Sequence, residues 1–186
     1  MPNNTNDDAL MAAVARGEEA AFRLLVQRWE NEVRAFLIHM LSSVEEAEDL
    51  TQDTFVQVFR KAQKYKGEGK FKSWLFRIAG NLARSKLRRR KILGWVRFNP
   101  DIHDRAGGGD DPAMTMRKKN EAKMVHSALA GLPGRQREAL VLHRFQGLKY
   151  KEIAEAMGIS LSAVESLIQR AMGELRSTLM GEAERK

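Results

Sequence analysis

Apolar positions recur three and four residues apart along almost the whole chain, and period-two alternation is nearly absent. This spacing predicts an all-α protein, with helices over roughly 8–16, 19–41, 44–64, 71–92, 114–130, 134–146, 150–157 and 161–180. Ser43, followed three residues later by Glu46, has the pattern of a capping box at the start of the third helix. Pro133 suits the first turn of the sixth helix, and Ser160 the N-cap of the last. One stretch breaks the pattern. Asn99 to Pro112 is polar, holds Gly107, Gly108 and Gly109 in succession, and offers too little apolar surface to order itself. It predicts a flexible linker. The chain then divides into a tail with a short helix (1–18), a helical domain (19–95), the linker (96–113) and a second small helical domain (114–182). No tandem repeat is present.

The helical faces carry the next layer of information. On the third helix, Ala47, Leu50, Phe55, Val58, Phe59 and Ala62 share the half expected to face the core. Asp49, Asp53 and Arg60 lie opposite, with Gln52 toward one edge and Val56 among them. An apolar residue in a polar face fits a protein-docking surface, and it also fits an isolated exposed side chain. On the fourth helix, Phe71, Trp74, Leu75, Ile78 and Leu82 face inward, while Arg77, Asn81, Arg84 and Arg88 form a continuous polar stripe that Lys91 extends. Arginine matches phosphates and the planar edges of bases, and asparagine pairs bidentately with adenine. Before this helix, Tyr65-Lys66-Gly67-Glu68-Gly69-Lys70-Phe71 combines glycines, lysines and flanking aromatics. Such a loop suits an unstacked base, although Tyr65, Phe71 and Trp74 also read as helix-end packing or core.

Residues 150–170 read as a helix-turn-helix. A short helix ends at Gly158, where a left-handed turn is easily adopted, and a new helix starts after Ser160. Ile153, Ala154, Met157, Ile159, Val164 and Ile168 would form its small core. Leu161, Val164, Leu167, Ile168, Ala171 and Leu175 are expected inward on the last helix. Ser162, Glu165, Ser166, Gln169 and Arg176 are expected outward, with Arg170 on the other flank. The second helix of such a pair enters the DNA major groove. A plain helical hairpin is the alternative.

Charge sharpens this picture. The net charge of the whole chain is +8, but residues 1–59 carry 4 basic and 11 acidic residues, while residues 60–97 carry 14 basic residues against Glu68 alone. A basic block exceeding the charge of the whole protein is the footprint of a polyanion partner. With no cysteine in the chain, disulfides, thiol nucleophiles and cysteine-ligated metals are excluded. His39, His103, His126 and His143 lack metal-ligand spacing. No catalytic constellation, metal site or cofactor is expected. The absence of a long apolar run or a signal peptide predicts a soluble, cytoplasmic protein.

Three segments in order resemble one family. Glu46-Ala-Glu-Asp-Leu-Thr-Gln-Asp-Thr-Phe55 is similar to the polymerase-gripping helix in region 2 of bacterial sigma-70 factors. Phe71-Lys-Ser-Trp-Leu-Phe-Arg-Ile-Ala-Gly-Asn-Leu-Ala83, with Leu87-Arg-Arg-Arg-Lys91, is similar to the helix that recognises and melts the −10 element. Leu132-Pro-Gly-Arg-Gln-Arg-Glu-Ala-Leu140 and the helix-turn-helix are similar to region 4, which binds the −35 element. Without counterparts of regions one and three of the primary factors, the chain resembles the small extracytoplasmic-function (ECF) group. It departs from the family pattern at Ser85, often acidic, at Lys149, often a small hydroxyl residue, and at Glu165, frequently basic.

The resemblance implies a sigma region 2 domain and a sigma region 4 domain that dock on core RNA polymerase, bind promoter DNA as duplex and melted strand, and catalyse no covalent reaction. It implies polymerase contacts from Asp49, Gln52, Asp53 and Val56. The −10 contacts would come from Tyr65, Lys66, Lys70, Phe71, Arg77, Asn81, Arg84 and Arg88. The −35 contacts would come from Arg135, Lys149, Lys151, Ser162, Glu165, Ser166, Gln169 and Arg170. An anti-sigma factor is a further implied partner. A helix-turn-helix regulator acting on duplex DNA without polymerase is the alternative function.

Overall fold

The computed structural model describes residues 6–92 and 124–183, and among them every regular element is a helix. α1 spans Asp7–Ala15, α2 Glu19–Leu41 and α3 Val44–Lys61, which runs into a 3-10 turn, Ala62–Lys64. α4 spans Phe71–Ile92. A helical stretch over 124–131 is α5, followed by α6 Gly134–Arg144, α7 Tyr150–Met157 and α8 Leu161–Ala183. The expected linker, 96–113, and the start of the fifth predicted helix lie outside the described residues.

The boundaries have local causes. The Asn6 side chain accepts from Asp8 N at 3.2 Å and caps α1, whose first turn carries Asp7 and Asp8 at the positive end of the helix dipole. Ser42, at φ 53°, ends α2, and Ser43 Oγ accepts from Glu46 N at 3.3 Å to start α3. The Glu46 carboxylate turns to cationic partners, Lys86 at 3.5 Å and Arg90, and charge-assisted pairs of this kind outweigh a neutral bond to a backbone amide. Pro133 stands one residue ahead of α6, as its N-cap rather than inside its first turn. Gly158 closes α7 at φ 65°, and Ser160 Oγ accepts from Ala163 N at 3.2 Å to open α8.

α2, α3 and α4 bury Leu25, Phe36, Leu37, Met40, Leu50, Phe55, Leu75 and Phe76 between them. Trp29, Phe71, Phe36 and Phe76 meet edge-on, with centroids 5.3–6.5 Å apart in three pairs, a favoured geometry for aromatic rings. α1 is part of this body: Leu10, Met11 and Val14 are buried, and Arg28 on α2 pairs with Asp7 at 2.5 Å. Leu129, Leu140, Leu142, Leu148, Ile153, Met157, Val164 and Ile168 form the C-terminal core. The two cores are continuous, because α6 and α7 pack on α2 and α4.

Two core assignments from sequence are corrected. Phe59 is half exposed, with its ring edge against Phe22 at 5.3 Å, because α3 passes the edge of α2 there. Leu161 is 44% exposed, because as the first residue of α8 it has no preceding helical turn of its own to lie over. Conversely, Thr51 and Thr54 are buried, and their hydroxyls donate to the carbonyls of Ala47 and Leu50 at 2.7 and 2.6 Å. That bond satisfies a polar group inside the helix and makes threonine acceptable in the core.

Candidate protein and nucleic-acid interfaces

The outward face of α3 is built by what lies behind it. Ala47, Leu50, Phe55 and Val58 fix the rotation of the helix, and Asp49, Gln52, Asp53 and Val56 consequently all point to solvent. Val56 is 44% exposed and Phe59, one turn further on, 50%. The face is therefore acidic at one end and apolar at the other. Phe59 was not expected in it. Its position three residues after Val56 is the signal that was there to be read.

The loop before α4 is tied to α1. Tyr65 Oη donates to Asp8 Oδ1 at 2.5 Å, and Gly69 N donates to Asp8 Oδ2 at 2.6 Å. Burial and the Asp8 carboxylate raise the Tyr65 phenol well above its ordinary value. Gly67 and Gly69 sit at φ 58° and 69°, a region that other side chains rarely adopt. Tyr65 leans on Trp74, with centroids 4.9 Å apart. Phe71, expected to reach a base, is only 2% exposed and is enclosed by Trp29 and Tyr65, so the aromatic surface open to a ligand is that of Tyr65 and Trp74. They line a cleft of about 780 Å³ whose far wall holds Lys151, Glu155, Gly158 and Ser160.

Along α4 the stripe divides. Lys66, in the loop before the helix, is exposed, as are Arg77, Asn81 and Arg88 on it. Lys70 Nζ lies 3.2 Å from Glu155, and both Glu155 and Glu68 raise its pKa. The Arg77 guanidinium lies against Gly158. Arg84 donates to Asn81 Oδ1 and to Glu138 Oε1, a carboxylate with no exposed side-chain surface. Burial pushes the Glu138 carboxyl up, while Arg84 opposes that shift. Lys86 and Arg90, which flank the stripe in sequence, turn to Glu46 on α3.

The helix-turn-helix presents Ser162, Glu165, Gln169 and Arg170 outward, with Ser166 partly covered and its hydroxyl donating to Ser162 O at 3.0 Å. Lys149, Lys151 and Arg135 are exposed around it. Lys149 cannot accept from the backbone as a hydroxyl would. Glu152 supplies the other half of the cap by accepting from Lys149 N at 2.6 Å. Leu161, expected inside, is exposed beside Ser162.

Two family models match the chain: sigma-70 region 2 over residues 25–92 and sigma-70 region 4 over residues 122–175. Over 178 residues it is 31% identical to the ECF RNA polymerase sigma-E factor of Haemophilus influenzae, covering 92% of this chain and 94% of that one. The chain belongs to the sigma-70 family, in its ECF group. This ECF-group chain is also 30% identical over 183 residues to the RNA polymerase sigma-H factor of Pseudomonas aeruginosa, covering 92% of each. Among solved structures, CnrH in complex with the cytosolic domain of CnrY matches with a TM-score of 0.75 at 27% identity, covering 95% of this chain and 99% of that one. The sigma factor RpoE of Bartonella quintana, in complex with the anti-sigma factor NepR, matches with a TM-score of 0.70 at 27% identity, covering 86% of this chain and 96% of that one. Within the ECF chain the region 2 match falls on α2–α4, and the region 4 match on the C-terminal helices.

Proposed function

We propose that this ECF sigma factor binds core RNA polymerase, recognises −10 and −35 promoter elements, and drives strand opening between them. One observation carries the reading: a single helical body bears an exposed acidic and apolar face on α3 and an arginine-rich stripe on α4, and a helix-turn-helix forms the second body. A regulator acting on duplex DNA alone would use the second body and leave both features of the first without a role. The domain limits proposed from sequence are a region 2 domain over 19–95, on which α1 packs, and a region 4 domain over 114–182.

In this reading Asp49, Gln52, Asp53 and Val56 meet the polymerase. Ser162, Glu165, Ser166, Gln169 and Arg170 face the major groove, with Arg135, Lys149 and Lys151 near phosphates. Lys66, Lys70, Arg77, Asn81, Arg84 and Arg88 track a strand toward Tyr65, where an unpaired base gains stacking and ionic contacts that the closed duplex does not offer. The action is non-covalent and takes place in the cytoplasm. Among the described residues no helix is long and apolar enough to cross a membrane. An anti-sigma factor is the proposed restraint, on the strength of the RpoE–NepR likeness.

Run-off transcription with purified core polymerase tests the function. The chain added to core is expected to yield a specific transcript from a promoter selected by the holoenzyme, with permanganate-reactive thymines near the start site. Specific duplex binding by the chain, with no transcript and no association with core, would overturn the reading in favour of a duplex-binding regulator.

A further inference from the structure

We propose that the C-terminal body is an intramolecular lock on α4, in which the Glu138 carboxylate, seated over Gly80, occupies Arg84 in place of a DNA phosphate. The inference rests on the assignment of α4 as a DNA-contacting helix and says how that helix is held when DNA is absent.

The polar contacts across the seam converge on the α4 stripe and on the end of α2. Arg84, which bonds Asn81, reaches Glu138 on α6, and Lys70 reaches Glu155 on α7 at 3.2 Å. Arg77 lies on Gly158, and Lys72 Nζ donates to Gln146 O at 2.6 Å. From the other side, Arg137 donates to Met40 O at 2.6 Å, beside the end of α2. Glu138 has no exposed side-chain surface, whereas the same residue on an isolated α6 would be hydrated. An ionised carboxylate withdrawn from water is tolerated only beside a well-placed cation, and Arg84 is that cation. A phosphate needs the same guanidinium, so the two occupants exclude one another. Glu138 Oε1 sits so close over Gly80 that a Cβ there would overlap it, while Oε2 is buried without a hydrogen-bond partner. Gly80 is in mid-helix, where glycine costs about 1 kcal/mol relative to alanine, so local helix stability does not explain it.

The consequence is a closed state that competes with DNA. If the open state is the binding-competent one, the apparent Kd of the free protein exceeds the intrinsic Kd by the inverse of the open fraction. Two variants release the lock by different means. Gly80→Ala blocks the seat without changing charge and strengthens α4, and Glu138→Ala removes the occupant. The chain has no cysteine, so a spin-label pair introduced at Glu32 and Glu174, both exposed and outside the proposed interfaces, reports the distance between the bodies cleanly. Binding is read with a fluorescein-labelled, random-sequence single-stranded 12-mer. Arg88→Ala, on the stripe but outside the lock, tests α4 itself.

The expected result is a longer interlabel distance for both variants and affinity for the 12-mer raised about tenfold for an open fraction of about one tenth, with Arg88→Ala weakening binding. If Arg88→Ala weakens binding but neither variant changes distance or affinity, the lock is overturned and the α4 assignment stands. If Arg88→Ala has no effect on binding, the α4 assignment fails and the inference fails with it, whatever the distances show.

Discussion

Arg137 shows how much one side chain carries at the seam. Its guanidinium is buried and donates to Met40 O, Leu132 O and Ala130 O, joining α6 to the end of α2 and to the turn after α5. Burial and the nearby Arg90 push its pKa down to about 10, so it remains charged at neutral pH. Arg137→Ala strands three carbonyls, and an unsatisfied buried group costs about 1–3 kcal/mol. The thermal midpoint is expected to fall by several degrees in calorimetry. Arg137→Lys is expected to restore little, because an ammonium lacks the planar fork that spans these acceptors. Glu165 tests the opposite kind of residue, exposed and without structural duty. Glu165→Ala is expected to change the preferred base at one −35 position, where a carboxylate accepts from a cytosine amino group for about 1–3 kcal/mol. Lys151→Ala is expected instead to weaken all sequences alike and to flatten the salt dependence. A selected-site profile and a salt titration separate the two effects.

Among the elements, α3 and the 65–70 loop make the sharpest claims. Asp53→Arg reverses charge at an exposed position on the outer face of α3. Core polymerase affinity is expected to fall at least tenfold in a titration while the helical circular dichroism is unchanged. Val56 and Phe59 extend that test, since truncating either should weaken the same complex. In the loop, Asp8 is the tether for Tyr65 and Gly69. Asp8→Ala is expected to reduce permanganate reactivity at the start site, and a pre-opened template should restore transcription. Retained reactivity would show that melting does not depend on this geometry. The sequence made these elements legible because their boundaries depend on local chemistry. Ser43, Pro133, Gly158 and Ser160 each act within four residues of themselves, and helix periodicity set the α3 face. It misplaced Phe59, because exposure at a helix end depends on where the neighbouring helix stops, and Leu161, because the first residue of a helix has no preceding turn to lie over. It left Phe71 open to a base, because the Trp29 ring that encloses it arrives from 42 positions upstream. Glu138 was invisible for the same reason: its partner Arg84 lies 54 residues away.

For the whole molecule, the continuous core means that the two bodies are not independent beads in this conformation. Gly158→Ala gives a contrast to Gly80→Ala: a Cβ there would make only an ordinary contact with Arg77 at 3.5 Å, and its main effect is to strain a backbone at φ 65° by about 1–2 kcal/mol. It is expected to lower thermal stability and −35 duplex binding together, whereas Gly80→Ala is expected to leave −35 duplex binding near its original level. The buried carboxylate at the seam also sets a clock. A lock that must open before a strand can reach Arg84 makes capture of DNA a two-step event, and the observed association rate then stops rising with DNA concentration once it reaches the opening rate. That ceiling belongs to the protein alone and is the same for every DNA sequence. Core polymerase, by separating the bodies beforehand, would abolish it, so that selection among promoters begins only after the subunit has been loaded.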